Sequence, residues 1–535
     1  VSRGTSAVVI GGGISGLATA ALLARDGYSV TLLEKRENVG GRAGLSENSG
    51  FRFDTGPSWY LMPEVFDHFY RSLGTTAAEQ LDLVRLDPAY RVFFEGRTDP
   101  VTVAASKEEN VALFESIENG AGAKLERYLD SAAVTYEIAK KRFLYTTFES
   151  FLPLLRRDVL RRTKLLVRLL TESLDSFTSR FFRDERLKQI LGYPAVFLGS
   201  SPFTTPSMYH LMSHLDLVDG VLYPRGGFTT IIDSIAALAR SEGVDIRTNA
   251  TVTSIDTAPT ASARKPSVTG VTWTNATGDT QRLTADIVVS TADLHHSETQ
   301  LLPRALQTYP EKYWRSKTAG PSAVLVSLGV RGTLPQLPHH SLFFTSDWKH
   351  NFEQIFTEPT SVPFPASLYV CKPSASDSSV APEGTENLFI LVPVPADVTI
   401  GGRADATVQA IADRALTQVA EWADVPDLAE RIVVREVTGP ADFASDLNAW
   451  KGTALGPAHI LTQSAFFRAG NVSKKVDGLF YAGGSSIPGI GLPMCLISAE
   501  LVIKRLRGDL STEAMPTPLF PTQTVVPARD AGAAS

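Results

Sequence analysis

An apolar tetrad that runs into a glycine triplet near one end of the chain predicts an α/β protein. So do a second strand–glycine–helix unit near the other end and a mixed run of strands and helices between them. The expected core is a Rossmann-like nucleotide-binding domain assembled from discontinuous segments, joined to a mixed-sheet domain and a helical region. Ala7-Val8-Val9-Ile10 reads as a buried strand of a parallel sheet. Gly11, Gly13 and Gly16 follow at the spacing G-x-G-x-x-G. Leu17, Ala20, Ala21 and Ala24 then recur at helical spacing, Gly27 ends the helix, and residues 28–33 form a second strand that delivers Glu34.

Each residue type in this stretch has a physical task. Gly11 permits a tight turn, Gly13 lets the backbone approach a pyrophosphate, and Gly16 lets the helix pack close to the strand. Ile14 and Ser15 open the helix, whose free N–H groups and positive dipole end suit phosphate oxygens. Glu34, followed by Lys35, stands where a carboxylate accepts from a ribose hydroxyl. Strand, glycines, helix, strand and acid in register carry far more weight than glycines alone.

Composition narrows the class. The chain has 535 residues, 43% apolar and 20% charged, enough for two or three domains. A net charge of −6, with no basic arm and no metal-finger pattern, excludes nucleic acid as a partner. Two cysteines, Cys371 and Cys495, make no disulfide framework and suggest a reducing, cytoplasmic setting. No signal peptide is expected, and no apolar stretch reaches the roughly 18 residues of a spanning helix.

Along the chain, Gly40-Gly41-Arg42 and Asp54-Thr55-Gly56-Pro57-Ser58 follow the acid. Residues 81–104 alternate as short strands, and 107–192 read as helical. Within them, residues 151–170 set Arg156, Arg157, Arg161, Arg162, Lys164 and Arg168 among Leu and Val, a pattern open to a surface helix packed on the core with a solvated charged face or to a helix lying on an anionic membrane surface. Residues 193–215, small and apolar with three prolines, suit the wall of an apolar cavity. His210 and His214 stand one helical turn apart, but no further ligand supports a metal, so a structural role is expected. Strands at 245–247, 249–255 and 285–290 follow, then a mixed sheet with a helix at about 406–422. Gly478 to Ser486 is a strand into a glycine turn, and residues 487–494 open a last helix. Residues 511–535, rich in Pro, Thr and Ala, are expected to be disordered.

Taken together, the glycine fingerprint, Gly-Gly-Arg, Asp-Thr-Gly-Pro-Ser, Tyr223-Pro224-Arg225-Gly226-Gly227-Phe228 and Pro488-Gly489-Ile490-Gly491-Leu492-Pro493-Met494 resemble the bacterial-type phytoene desaturases. These belong to the superfamily of flavin amine oxidases and carotenoid desaturases. The resemblance covers residues 7 to about 508 and implies a glutathione-reductase-type FAD domain from segments 5–80, 221–300 and 471–508. It also implies a helical membrane-associating region at 107–220, which favours the membrane-surface reading of 151–170, and a substrate domain from 81–106 and 301–470. Carried onto this sequence, it puts Gly41 and Arg42 along the flavin nucleotide, Gly56, Pro57 and Ser58 near the isoalloxazine, and Val252 against the adenine. Gly483, Gly484, Gly491, Leu492, Pro493 and Met494 form the second flavin signature, with a helix N-terminus facing the flavin pyrimidine.

The resemblance further implies phytoene, or another long apolar polyene, as substrate at a membrane surface, with quinone or oxygen as electron acceptor. No proton acceptor is singled out among Asp54, Glu64, His210, His295 and His296. Rival readings are a desaturase or isomerase for another carotenoid or C30 polyene, an amine oxidase, and a prenyl-binding escort of the same fold. Ser485 and Ser486 after the glycines, and Ile487, Ile490 and Leu492 where an amine oxidase wants aromatics, weigh against the amine oxidase.

Overall fold

The computed structural model describes residues 4–149, 163–259 and 264–520. The apolar tetrad forms the strand Ser6–Ile10, central in a five-stranded sheet whose pairs are all parallel. In spatial order its strands are Leu479–Tyr481, Ile287–Ser290, Ser6–Ile10, Ser29–Leu33 and Asp245–Arg247. Sequence neighbours are thus few, and three distant stretches of chain meet in one sheet. The helix Ile14–Arg25 packs between the helices Thr229–Ser241 and Leu492–Arg507, and it is buried from Ile14 to Leu23. That burial explains its run of Ala, Gly and Leu, because only short side chains allow such close approach.

A second, seven-stranded mixed sheet holds the strands Ser322–Arg331, Thr385–Val394, Leu368–Cys371 and His340–Phe344 in its interior. Tyr90–Phe94 and Val101–Val103 extend it past His340–Phe344, and Ile432–Thr438 closes the other edge. The helix Ala406–Trp422 covers its outer face through Val408, Ile411, Ala415 and Val419. Of the alternating stretch 81–86 only Leu83–Arg85 is a strand, and it pairs with Leu222–Pro224 instead of joining the mixed sheet.

The expected helical region runs through Lys107–Ile117, Ala121–Ala139, Thr163–Thr171, Leu174–Thr178 and Glu185–Gly192. Most of the basic stretch 151–170 lies outside the described residues. In its described part Arg168 pairs with Glu172 at 3.1 Å.

The tail differs from expectation. Residues 511–520 pack on the body, with Met515 and Leu519 buried. Lys504, itself buried, donates to the carbonyls of Ser511 and Glu513 at 2.7 and 2.8 Å, and the Leu519 amide donates to Ser72. Two apolar side chains and a buried ammonium that needs acceptors outweigh the disorder suggested by composition. Residues 521–535 lie outside the described residues.

Candidate active site

The strand ends and glycine turns of the parallel sheet meet the inner face of the mixed sheet around one cavity of about 960 Å³. Every residue expected to contact the cofactor lines it except Gly16. A Cβ at Gly16 would lie 1.9 Å from the Gly11 carbonyl oxygen, so Gly16 serves helix–strand packing and does not face the cleft. Gly13 is the opposite case. A Cβ there would meet nothing closer than 3.9 Å and would stand in the cavity itself.

The Gly-Gly-Arg segment is held against this loop. The Gly40 amide donates to the Gly12 carbonyl at 2.8 Å, and Thr291 Oγ1 braces the turn by donating to the carbonyls of Ile10 and Gly11. Glu34 lies at the same end, accepting from the Gly12 amide at 2.6 Å and the Arg36 amide at 2.8 Å. Four lone-pair sites on a carboxylate leave room for a further donor. Val252 lines this end too.

Two long side chains do something the sequence did not suggest. Lys35 Nζ donates to Ser445 O and Asn448 Oδ1 at 2.8 and 3.2 Å. Arg42 Nε, whose fork suits phosphate, donates to Ala454 O at 2.8 Å. Both therefore tie the nucleotide loops to the loops below the mixed sheet while still lining the cavity.

At the C-terminal signature the Gly483 amide donates to Ser498 Oγ, and Gly483 adopts φ +115°, where a side chain is strained. The helix Leu492–Arg507 starts at the cavity wall with Gly491, Leu492, Pro493 and Met494. Beneath the turn lies Arg468, 7% exposed, a residue no motif singled out. Its guanidinium donates to the carbonyls of Gly484, Ser486 and Gln463 at 2.5, 3.1 and 3.3 Å, and it forms no ion pair among the described residues. Burial pulls it down to about 10.

Beyond the glycine turns the cavity becomes an apolar arm. Residues of the 193–215 stretch wall it as expected, among them Val196, Phe197, Met208, Leu211, Met212 and Leu215. The mixed sheet and the helix Trp348–Phe356 supply Leu342, Phe344, Trp348 and Phe352. Trp59, just after the Gly-Pro turn, lines the arm among Tyr193, Phe197 and Tyr369, with ring centroids at 5.3–6.3 Å. The aromatics missing from the C-terminal turn thus arrive from elsewhere in the chain. Val167, Leu461 and Phe467 line the cavity yet are 53%, 38% and 64% exposed, which marks its mouth.

Of the five acids and bases considered as proton acceptors, only His296 lines the cavity. Burial lowers it, against the upward pull of Asp293 and with Lys35 adding to the lowering. Asp54 lies half-buried behind the wall. It accepts from the Phe228 and Thr229 amides, and burial pushes it up to about 6. Glu64 accepts from Tyr136 and pairs with Lys140. His210 is enclosed between Ser207 O and Ser131 Oγ and pulled down to about 4 by burial. His295 pairs with Glu311 at 2.7 Å.

The family model described as flavin-containing amine oxidoreductase matches residues 14–503. The chain belongs to that family and is an FAD-dependent oxidoreductase. Its relatives put it in the carotenoid-desaturase branch. It is 41% identical to carotenoid 3,4-desaturase of Haloarcula japonica, over 95% of this chain and 99% of that one. It is 34% identical to zeta-carotene-forming phytoene desaturase of Myxococcus xanthus, over 94% of each. Among solved structures, an oxidoreductase from Methanosarcina mazei shares the fold, with a TM-score of 0.60 at 15% identity over 93% of this chain and all of that one.

The nucleotide end fits FAD. A Cβ at Gly13 would fill the cradle, helix amides face the same space, and Glu34 offers acceptor capacity.

Proposed function

We propose that the protein removes hydrogen from adjacent carbons of a long apolar polyene, with phytoene as the substrate that leads toward lycopene. The observation that carries this reading is the single cavity in which a nucleotide cleft continues into a long apolar arm with an apolar, solvent-exposed mouth. FAD supplies the acceptor for the hydride. The chain supplies the rest. Gly11, Gly13, Ser15, Glu34 and Gly41 hold the nucleotide, and the amides opening Leu492–Arg507 favour negative charge at their end. Trp59, Tyr193 and Phe197 exclude water and grip a chain with no polar handle, so selection rests on length and insertion depth. The segments 5–80, 221–300 and 471–508 act as the FAD domain, and 81–106 with 301–470 as the substrate domain.

The exposed rim of Val167, Leu461 and Phe467 supports docking of the mouth on a bilayer, from which polyene enters and a quinone, or oxygen, reoxidises the flavin. A second reading is favoured by the Haloarcula japonica relative, named a carotenoid 3,4-desaturase: the substrate is then an already conjugated carotenoid. Purified protein with FAD and phytoene in liposomes tests the first reading. New long-wavelength polyene bands in the extract support it. Unchanged phytoene beside bound, photoreducible FAD overturns it, and the same assay with lycopene then tests the second.

A further inference from the structure

The mixed sheet holds a polar knot behind the apolar arm. His340 stands directly opposite Cys371 in the pairing of His340–Phe344 with Leu368–Cys371, and His339 immediately precedes it. All three side chains are buried, at 3%, 0% and 2% exposure for His339, His340 and Cys371. One ring nitrogen from each histidine and the Cys371 sulfur lie within 4.8 Å of one another.

Both imidazoles are oriented in the same way. His339 Nδ1 is 3.0 Å from Ser376 Oγ, and His340 Nδ1 is 2.7 Å from the Tyr369 hydroxyl. The Nε2 atom of each is shut away from solvent with no partner among the described residues. An unpaired buried nitrogen is costly, and here two stand together. Metal-binding histidines share this arrangement, with one nitrogen on the metal and the other on an oxygen that sets tautomer and ring angle.

We propose that His339, His340 and Cys371 form a structural zinc site, with one ring nitrogen of each histidine and the Cys371 thiolate as protein ligands and a water as the fourth. An ion centred among donors 4.8 Å apart sits at most about 2.8 Å from each, so shifts of roughly 0.5–0.8 Å reach zinc–nitrogen and zinc–sulfur bond lengths. Imidazole and thiolate select zinc over magnesium or calcium, which take oxygen. Binding displaces the thiol proton to solvent and leaves no change of oxidation state. The ion would pin two interior strands. Tyr369, whose hydroxyl also donates to Ser58 Oγ at 2.8 Å, would transmit that rigidity to the cavity wall.

The test is elemental analysis of full-length, FAD-loaded protein expressed with added zinc and washed with a mild chelator. About one zinc per chain is expected, falling about tenfold or more in Cys371→Ser, with Tyr369→Phe weakening affinity about 10–100-fold. Cobalt(II) in place of zinc should give a thiolate charge-transfer band that disappears in Cys371→Ser. Should that variant fail to fold, the wild-type cobalt spectrum decides alone. Zinc far below one per chain, or a cobalt spectrum without the thiolate band, overturns the proposal whatever the substrate proves to be.

Discussion

Gly13 and Gly16 sit three residues apart in one motif and fail differently when changed. Gly13→Val puts methyl groups into the cradle and leaves the packing alone, so the purified protein should fold with the melting profile of FAD-stripped wild type and lack the flavin absorption. Retention of FAD by that variant would remove the cleft from the nucleotide. Gly16→Val drives a Cβ into the Gly11 carbonyl and should fail at folding, read as insoluble protein. Arg468→Met leaves two carbonyls of the glycine turn, and that of Gln463, without their donor, and FAD should dissociate on desalting, whereas Arg468→Lys should retain part of it. Motif residues were legible because each acts through the backbone beside it. Arg468, Trp59 and Tyr369 were not, because their neighbours in space lie far away in sequence. Arg42 and Lys35 were legible as cavity residues but not in their bonds, which reach across to residues 445–454.

Elements with a strong period, such as Ile14–Arg25 and Ala406–Trp422, could be read directly. The segment 511–520 could not, because Pro and Thr obscure two apolar anchors. Met515→Ala should therefore cost about 2–5 kcal/mol, seen as a lower denaturant midpoint, and an unchanged midpoint would return the segment to solvent. The turn Leu215–Asp219 makes a pH prediction. Asp216 accepts from the hydroxyls of Tyr90 and Tyr193 at 2.9 and 3.0 Å, and burial pushes its carboxyl up to about 7. Between about pH 4 and pH 7 the unfolded chain releases a proton that the native protein keeps, so stability falls as pH rises through that window. Asp216→Asn should flatten this dependence in denaturation series across the window. An identical slope in the variant would assign the titration elsewhere.

At the scale of the whole molecule, the charged triple variant Val167→Glu, Leu461→Glu, Phe467→Glu tests the exposed mouth. It should retain FAD but lose co-sedimentation with vesicles, and unchanged sedimentation would mean that another surface docks. The sheet order has a different consequence. Strands from residues 6–33, 245–290 and 479–481 stand side by side, so the cofactor cleft has no second wall until residues 479–481 have left the ribosome. Pairings across such sequence separations form late and slowly, and the apolar faces destined for the cavity stay uncovered meanwhile. A nascent chain of this protein is therefore one for chaperones to shield.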